Sequence, residues 1–144
     1  MIRPAVEADL PALLALYAEL HPDDPPLPVE RGLAIWRRIE NQQGRTILVA
    51  ETGGVVTGTT DCSVLHNLTR GGRPFMLVEN VVVAASWRRT GVASRLFEAV
   101  IDLAVREDCY KVQLISRSDR VDAHSFYESC GFEALAEGYR RYFR

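Results

Sequence analysis

The chemistry-bearing residues of this chain cluster around one turn. Val81-Val82-Val83-Ala84-Ala85-Ser86-Trp87 gives way to Arg88-Arg89-Thr90-Gly91-Val92-Ala93-Ser94, after which Arg95-Leu96-Phe97 opens a helical pattern. The spacing predicts a strand, a tight basic turn and a helix start. A helix N-terminus presents unpaired N–H groups and the positive end of a dipole, so the turn is suited to an anion. Arg88 and Arg89 add charge; read blandly, they solvate a helix entry. Just upstream, Glu79 interrupts the apolar run Met76-Leu77-Val78-Glu79-Asn80-Val81-Val82-Val83. A carboxylate there is costly unless it is paired or used. Asn80 either orients a ligand or closes a bulge. Arg70 and Arg73 flank Gly71-Gly72 and suit an anionic group, whereas Asp23, Asp24 and Glu79 suit a cation.

The turn lacks two phosphate-binding signatures. A P-loop ends in Gly-Lys-Ser/Thr, and Gly91-Val92-Ala93 has no lysine. A dinucleotide fingerprint needs three glycines, and Gly91 stands alone. What remains is Arg88-x-x-Gly91-x-Ala93. Here Gly91 permits a backbone conformation or a close approach that a side chain would block.

The elements that must position these residues follow from periodicity. Ile2 to Val6 reads as a strand. Asp9 or one of its neighbours can cap a helix carrying Leu10, Leu13, Leu14, Tyr17 and Leu20 at helical spacing. His21 to Pro28 is a proline-rich loop, and Val29 to Glu40 is a second helix. Thr46 to Glu51 and Val55 to Leu65 form a hairpin about Thr52-Gly53-Gly54. Asn67 to Pro74 is a loop. Phe75 to Val83 is a strand apolar enough to be buried on both faces. A helix from Ala93 to Glu107, a strand from Tyr110 to Ile115 and a short helix from Val121 to Cys130 stopped by Gly131 come next. Phe132 to Phe143 is expected to hold one or two last strands. The order β-α-α-β-β-β-α-β-α-β predicts one α+β layered domain over residues 1–144.

With 144 residues, 47% hydrophobic and 25% charged, the chain suits a globular domain, and a net charge of −2 argues against a nucleic-acid scaffold. No apolar run approaches the roughly 20 residues of a membrane span. Cys62, Cys109 and Cys130 lie far apart without a C-x-x-C pair, so no metal site is signalled and a reducing, cytoplasmic setting is expected.

Val81 to Ser94 resembles the cofactor signature of the GNAT superfamily of N-acetyltransferases, Arg/Gln-x-x-Gly-x-Gly/Ala at a strand-to-helix turn. Ile2-Arg3-Pro4-Ala5 with Asp9 is similar to the start of many members. His124-Ser125-Phe126-Tyr127-Glu128-Ser129-Cys130-Gly131-Phe132 is similar to their late F-Y-x-x-x-G-F segment. Together with the element order, the resemblance covers nearly the whole chain.

It implies a central, mixed but mostly antiparallel sheet flanked by helices, with acetyl-CoA as cosubstrate. By this analogy the backbone N–H groups of Arg89, Thr90, Gly91, Val92, Ala93 and Ser94 hold its pyrophosphate. Val81 and Val83 pair with the pantetheine arm, and an N–H near Val82 polarises the thioester carbonyl. Tyr127 resembles the family's general acid, which protonates the departing thiolate; the alternative is a packed aromatic beside Phe126. Glu79 then takes the proton of the acceptor ammonium or binds that ammonium; the alternative is a salt bridge. His124, one helical turn before Tyr127, reads as a helix-surface or cofactor-edge residue. Members often carry an asparagine near Asp119, Arg120 and Asp122, and none stands there.

The implied activity is direct acetyl transfer to a primary amine of a small molecule. Val78 to Val83 and Cys109 to Val112 resemble segments of glucosamine-6-phosphate N-acetyltransferases. Arg120 to Tyr127 resembles a segment of aminoalkylphosphonate N-acetyltransferases. Both point to an acceptor carrying a phosphorus-centred anion, with Arg70, Arg73, Glu79 and Asn80 as its binding residues. A protein lysine or N-terminal acetyltransferase and a non-catalytic acyl-CoA-binding regulatory domain are the alternatives. Tyr139, Tyr142 and Phe143 suggest a homodimer.

Overall fold

The computed structural model describes residues 1–117 and 120–143. Asp119, named above, lies outside them. In chain order the elements are β1 (Ile2–Pro4), α1 (Leu10–Leu20), α2 (Val29–Glu40), β2 (Arg45–Thr52), β3 (Val55–Leu65), β4 (Phe75–Val83), α3 (Val92–Arg106), β5 (Val112–Leu114) and α4 (Val121–Ser129). Single 3₁₀ turns occupy Glu7–Asp9, Arg70–Gly72 and Ala85–Trp87. The fold is α+β, with the five strands in the order β1-β2-β3-β4-β5. The first four pair antiparallel. Tyr110 N–H donates to Pro74 and Met76 N–H to the Lys111 carbonyl, so numbering ascends together on both chains and β5 runs parallel to β4. The chain divides into two compact units, Met1–Gln113 and Leu114–Arg144.

In the first unit the pleat assigns two faces. Ile47 and Val49 pack with Leu10 and Leu13 of α1 and Trp36 of α2. Gly58, opposite Ala50, faces Val92 and Leu96 of α3 instead. Side chains alternate along a strand, so α1 and α2 cover one face and α3 the other. The edge strand is fastened by charge. Arg3 grips both Asp9 oxygens at 2.7 and 2.9 Å and donates to Glu51 at 2.8 Å. Asp9 also accepts the Val6 N–H, and Arg3 holds its carboxyl below the ordinary range. Asp9 therefore fastens β1 to the start of α1 and makes no side-chain cap bond at that helix's N-terminus.

β4 departs from the expectation of burial on both faces. Met76, Val78 and Val82 are buried and Leu77 half-buried, but Glu79 and Asn80 are exposed. Opposite Glu79 the sheet carries Asp61 ion-paired to Arg45, so that part of the face is polar rather than core.

In the second unit α4 stops as the glycine foretold. Gly131 takes φ +89°, its N–H donates to Glu128, and Phe132 N–H donates to Tyr127. The last strands, however, are absent among the described residues: 132–143 contains none. Phe132, Leu135, Tyr139, Tyr142 and Phe143 follow neither a strict period of two nor a helical one, so no single sheet face gathers them. Leu135, Tyr139, Tyr142 and Phe143 are each at least 80% exposed.

Candidate active site

The basic turn is built of backbone. After the Ala85–Trp87 turn, Arg89 adopts φ +62° and Gly91 φ +87°. Chains that visit the left-handed region this way turn successive N–H groups inward as an anion-binding concavity. A Cβ on Gly91 would meet only the Arg95 guanidinium at 3.4 Å, so glycine serves here for its conformation rather than for space. Thr90 Oγ1 donates to the Trp87 carbonyl, and Arg88 Nε reaches back to the Val83 carbonyl at 3.3 Å. Arg88 thus ties the turn to the strand. α3 has no side-chain cap and no acidic residue in its first turn. Arg88, Arg89 and Arg95 instead gather positive charge at the positive end of its dipole, which an anion would offset. Val92 is buried and contributes backbone only; Ala93 is half-buried and Ser94 exposed.

The strand feeding this turn contains a bulge. Glu79 pairs with Asp61 and Val82 with Thr59, so Asn80 and Val81 together oppose Thr60. Asn80 sits at φ +52°, a conformation asparagine tolerates better than most residues. Ala84 N–H donates to Thr57, and alternate residues of a ladder aim their backbone groups at opposite edges. Val82 therefore bonds toward β3, while the backbone groups of Val81 and Val83 point to the outer edge. The outward N–H beside the bulge is that of Val81.

Glu79 shares a sheet face with Asp61, its cross-strand neighbour. Asp61 is only 4% exposed and receives Arg45 in a two-pronged pair at 2.6 and 3.0 Å, with Gln42 holding the third guanidinium nitrogen. Tyr17 lies close by, its phenol pushed up to about 12 by burial and the Asp61 charge. The Asp61 charge is compensated by Arg45; Glu79 forms no ion pair among the described residues.

Beyond the other end of β4, Arg73 donates to the carbonyls of Asp108 and Cys109 and ion-pairs with Asp108. Its guanidinium is engaged in anchoring the 67–74 loop. Arg70, at φ +55°, stacks over Tyr110 with 5.3 Å from Cζ to the ring centroid.

Tyr127 belongs to the second unit. It lies on α4, half-buried, edge-on to Phe126 and Phe132 at 5.7 and 6.2 Å between centroids. Burial raises its phenol above the ordinary value, with Cys130 adding and Arg120 opposing, so the hydroxyl keeps its proton through neutral pH. His124 Nε2 donates to the Arg117 carbonyl at 2.8 Å, which anchors its ring locally.

A model of the Acetyltransferase (GNAT) family matches residues 10–132. The chain belongs to the GNAT family. This acetyltransferase is 31% identical over 134 residues to a glucosamine 6-phosphate N-acetyltransferase of Trypanosoma brucei brucei, across 92% of this chain and 88% of that one. It is 28% identical to a type 1 aminoglycoside N(6')-acetyltransferase of Stenotrophomonas maltophilia, across 92% and 85%. Among solved structures, a putative acetyltransferase from Agrobacterium tumefaciens str. C58 superposes with a TM-score of 0.96 at 36% identity, covering 99% of both chains.

Sequence reasoning missed two residues that shape the acetyltransferase's turn. Gly58 lets α3 sit against β3: a Cβ there would lie 2.9 Å from Val92, 3.2 Å from Leu96 and 3.2 Å from the Val82 carbonyl. Its partners are 24 to 38 residues away in sequence, so only the fold reveals the need. Arg95 lies one helical turn after Gly91 and folds back over it. Its signal was present, a cation at a helix N-terminus where the dipole disfavours one.

Proposed function

We propose that this enzyme transfers the acetyl group of acetyl-CoA directly to a primary amine of a small molecule, and that residues 1–144 act as one N-acetyltransferase domain. One observation carries the reading: an uncapped helix start gathers three arginines and no acid, immediately after a bulged strand whose outer backbone edge is turned outward. In this reading the N–H groups of Arg89 to Ser94 hold the pyrophosphate and the outer edge at Val81 and Val83 holds the pantetheine. The bound cosubstrate supplies the acetyl thioester. Glu79, exposed and without an ion pair among the described residues, accepts the proton of the incoming ammonium. The Val81 N–H polarises the carbonyl. Tyr127, held protonated by burial, returns a proton to the departing sulfur.

Direct transfer is favoured because two of the three cysteines are poor nucleophiles: Cys62 is fully buried with its thiol pushed up to about 12, and burial raises Cys109 as well. The named activities of the two curated relatives, an amino sugar phosphate and an aminoglycoside acetyltransferase, support a small-molecule amine. The segments around Val78 to Val83 and Arg120 to Tyr127 favour an amino sugar phosphate or an aminophosphonate with Arg70 among its ligands. The exposed Leu135, Tyr139, Tyr142 and Phe143 suit a homodimer interface, and the unpaired thiols suit the cytoplasm.

The test is release of CoA from acetyl-CoA across amino sugars, aminophosphonates, polyamines, aminoglycosides and a lysine peptide. Turnover of a small amine is expected, with an alkaline decline that comes later than an ordinary tyrosine acid would give, because burial raises the phenol and keeps its acid form longer. Turnover of the peptide alone would move the assignment to a protein substrate. CoA binding without any turnover would move it to a regulatory domain.

A further inference from the structure

We infer that Lys111 and Arg70, poised over Phe75 and Tyr110, read an anionic group on the acceptor, so that the preferred substrate is two-ended: an ammonium at Glu79 and a phosphate or phosphonate at Lys111. This rests on the amine-acetyltransferase reading and adds to it the residues that select the acceptor. Lys111 Nζ lies 5.2 Å from the Phe75 centroid and 5.4 Å from that of Tyr110. Arg70 Cζ lies 5.3 Å from Tyr110. The two rings meet edge-on at 6.4 Å. Two cations are thus held against one aromatic pair, on a platform that orients them without neutralising them.

Neither cation has a carboxylate partner among the described residues. Lys111 donates only to the neutral Gln113 Oε1 at 2.9 Å. The nearest acid of the adjoining turn, Asp108, is taken by Arg73. That same anchorage holds the loop carrying Arg70.

The sheet relates this cluster to Glu79. Leu65 pairs with Phe75, Ser63 with Leu77 and Asp61 with Glu79, and the bulge begins only at Asn80. Phe75, Leu77 and Glu79 therefore share one face, the first and last about 13 Å apart along the strand. That gap is too long for Lys111 to serve as an ion-pair partner of Glu79, and Leu77 lies half-buried between them. A ligand with opposite charges at its two ends and a less polar middle matches this face. A polycation satisfies Glu79 and is repelled at the other end.

The test compares glucosamine with glucosamine 6-phosphate, by turnover and by calorimetric binding to the CoA-loaded full chain. Wild type is expected to favour the phosphate ester in kcat/KM by at least about tenfold, since a charged hydrogen bond contributes that much or more. Lys111→Gln and Arg70→Gln should each erase about tenfold of that ratio through KM, and Lys111→Arg should restore it. Arg106→Gln, on the exposed last turn of α3, should move it less than about twofold. Equal efficiency for the two amines overturns the anion subsite and leaves amine acetylation standing. Phosphate-dependent binding lost in Lys111→Gln, without turnover of any amine, supports the subsite and overturns the reaction. A ratio unchanged in both glutamine variants, or equal binding of the two amines, overturns the subsite.

Discussion

On the proposed reading, the two ends of β4 solve recognition with different materials. At its C-terminal end the strand runs into a turn made almost wholly of backbone: outward amides at Val81 and Val83, left-handed Arg89 and Gly91, and an uncapped helix start. At its N-terminal end the surface is made of side chains from separate segments: Arg70 from a loop, Phe75 from β4, Tyr110 and Lys111 from the approach to β5. A backbone site depends on conformation and tolerates change in most side chains. A side-chain site depends on identity and can be rewritten one residue at a time. One strand can therefore keep a fixed donor while its acceptor varies.

The sharpest way to break this comparison is Gly91→Val. A branched residue at φ +87° carries strain that must be relieved by rebuilding the turn, so CoA affinity should fall by about 100-fold in calorimetry. Unchanged affinity would remove the turn from the donor site. Next in size is Glu79→Gln, which keeps shape and removes the base. The expected outcome is a loss of about 100-fold in kcat with CoA affinity intact. A kcat within about twofold of wild type, with only KM for the amine raised, would reduce Glu79 to an ammonium ligand. The smallest change is Gly58→Ala, which crowds Val92, Leu96 and the Val82 carbonyl. It should cost about 1–2 kcal/mol of stability in thermal unfolding and weaken CoA binding only severalfold, by shifting the start of α3. If acceptor KM moved instead, the two ends would be coupled rather than separate.

The same contrast decides what could be read from the sequence. The turn at Arg88 to Ser94 was legible because all its parts are contiguous and its glycine has one reason to exist. α2 was legible over its whole length because its apolar stripe and preceding prolines mark both face and start. Gly58 was not, since a glycine in a strand signals only a missing side chain. Its cause, the packing of Val92 and Leu96, arrives through the fold. The seat of Lys111 over Phe75 was likewise invisible, because nothing local brings the two together. Asp9 looked like a cap from its position ahead of a helix, but Arg3 offered it a stronger, two-pronged partner. The C-terminal apolar residues suggested strands because aromatic composition weighs more in a short reading than strict alternation does.

The bulge at Asn80 carries one more consequence, for inheritance. By inserting a residue opposite Thr60 it shifts the phase of β4, so odd positions face α1 before it and even positions after it. Deleting Asn80 would leave Val81 alone opposite Thr60 and flatten the strand, with the pairs on either side kept and the amides of Val81 and Val83 still outward. The two halves of the strand thus behave as separately heritable modules, and the residue between them sets the local bend rather than the pairing.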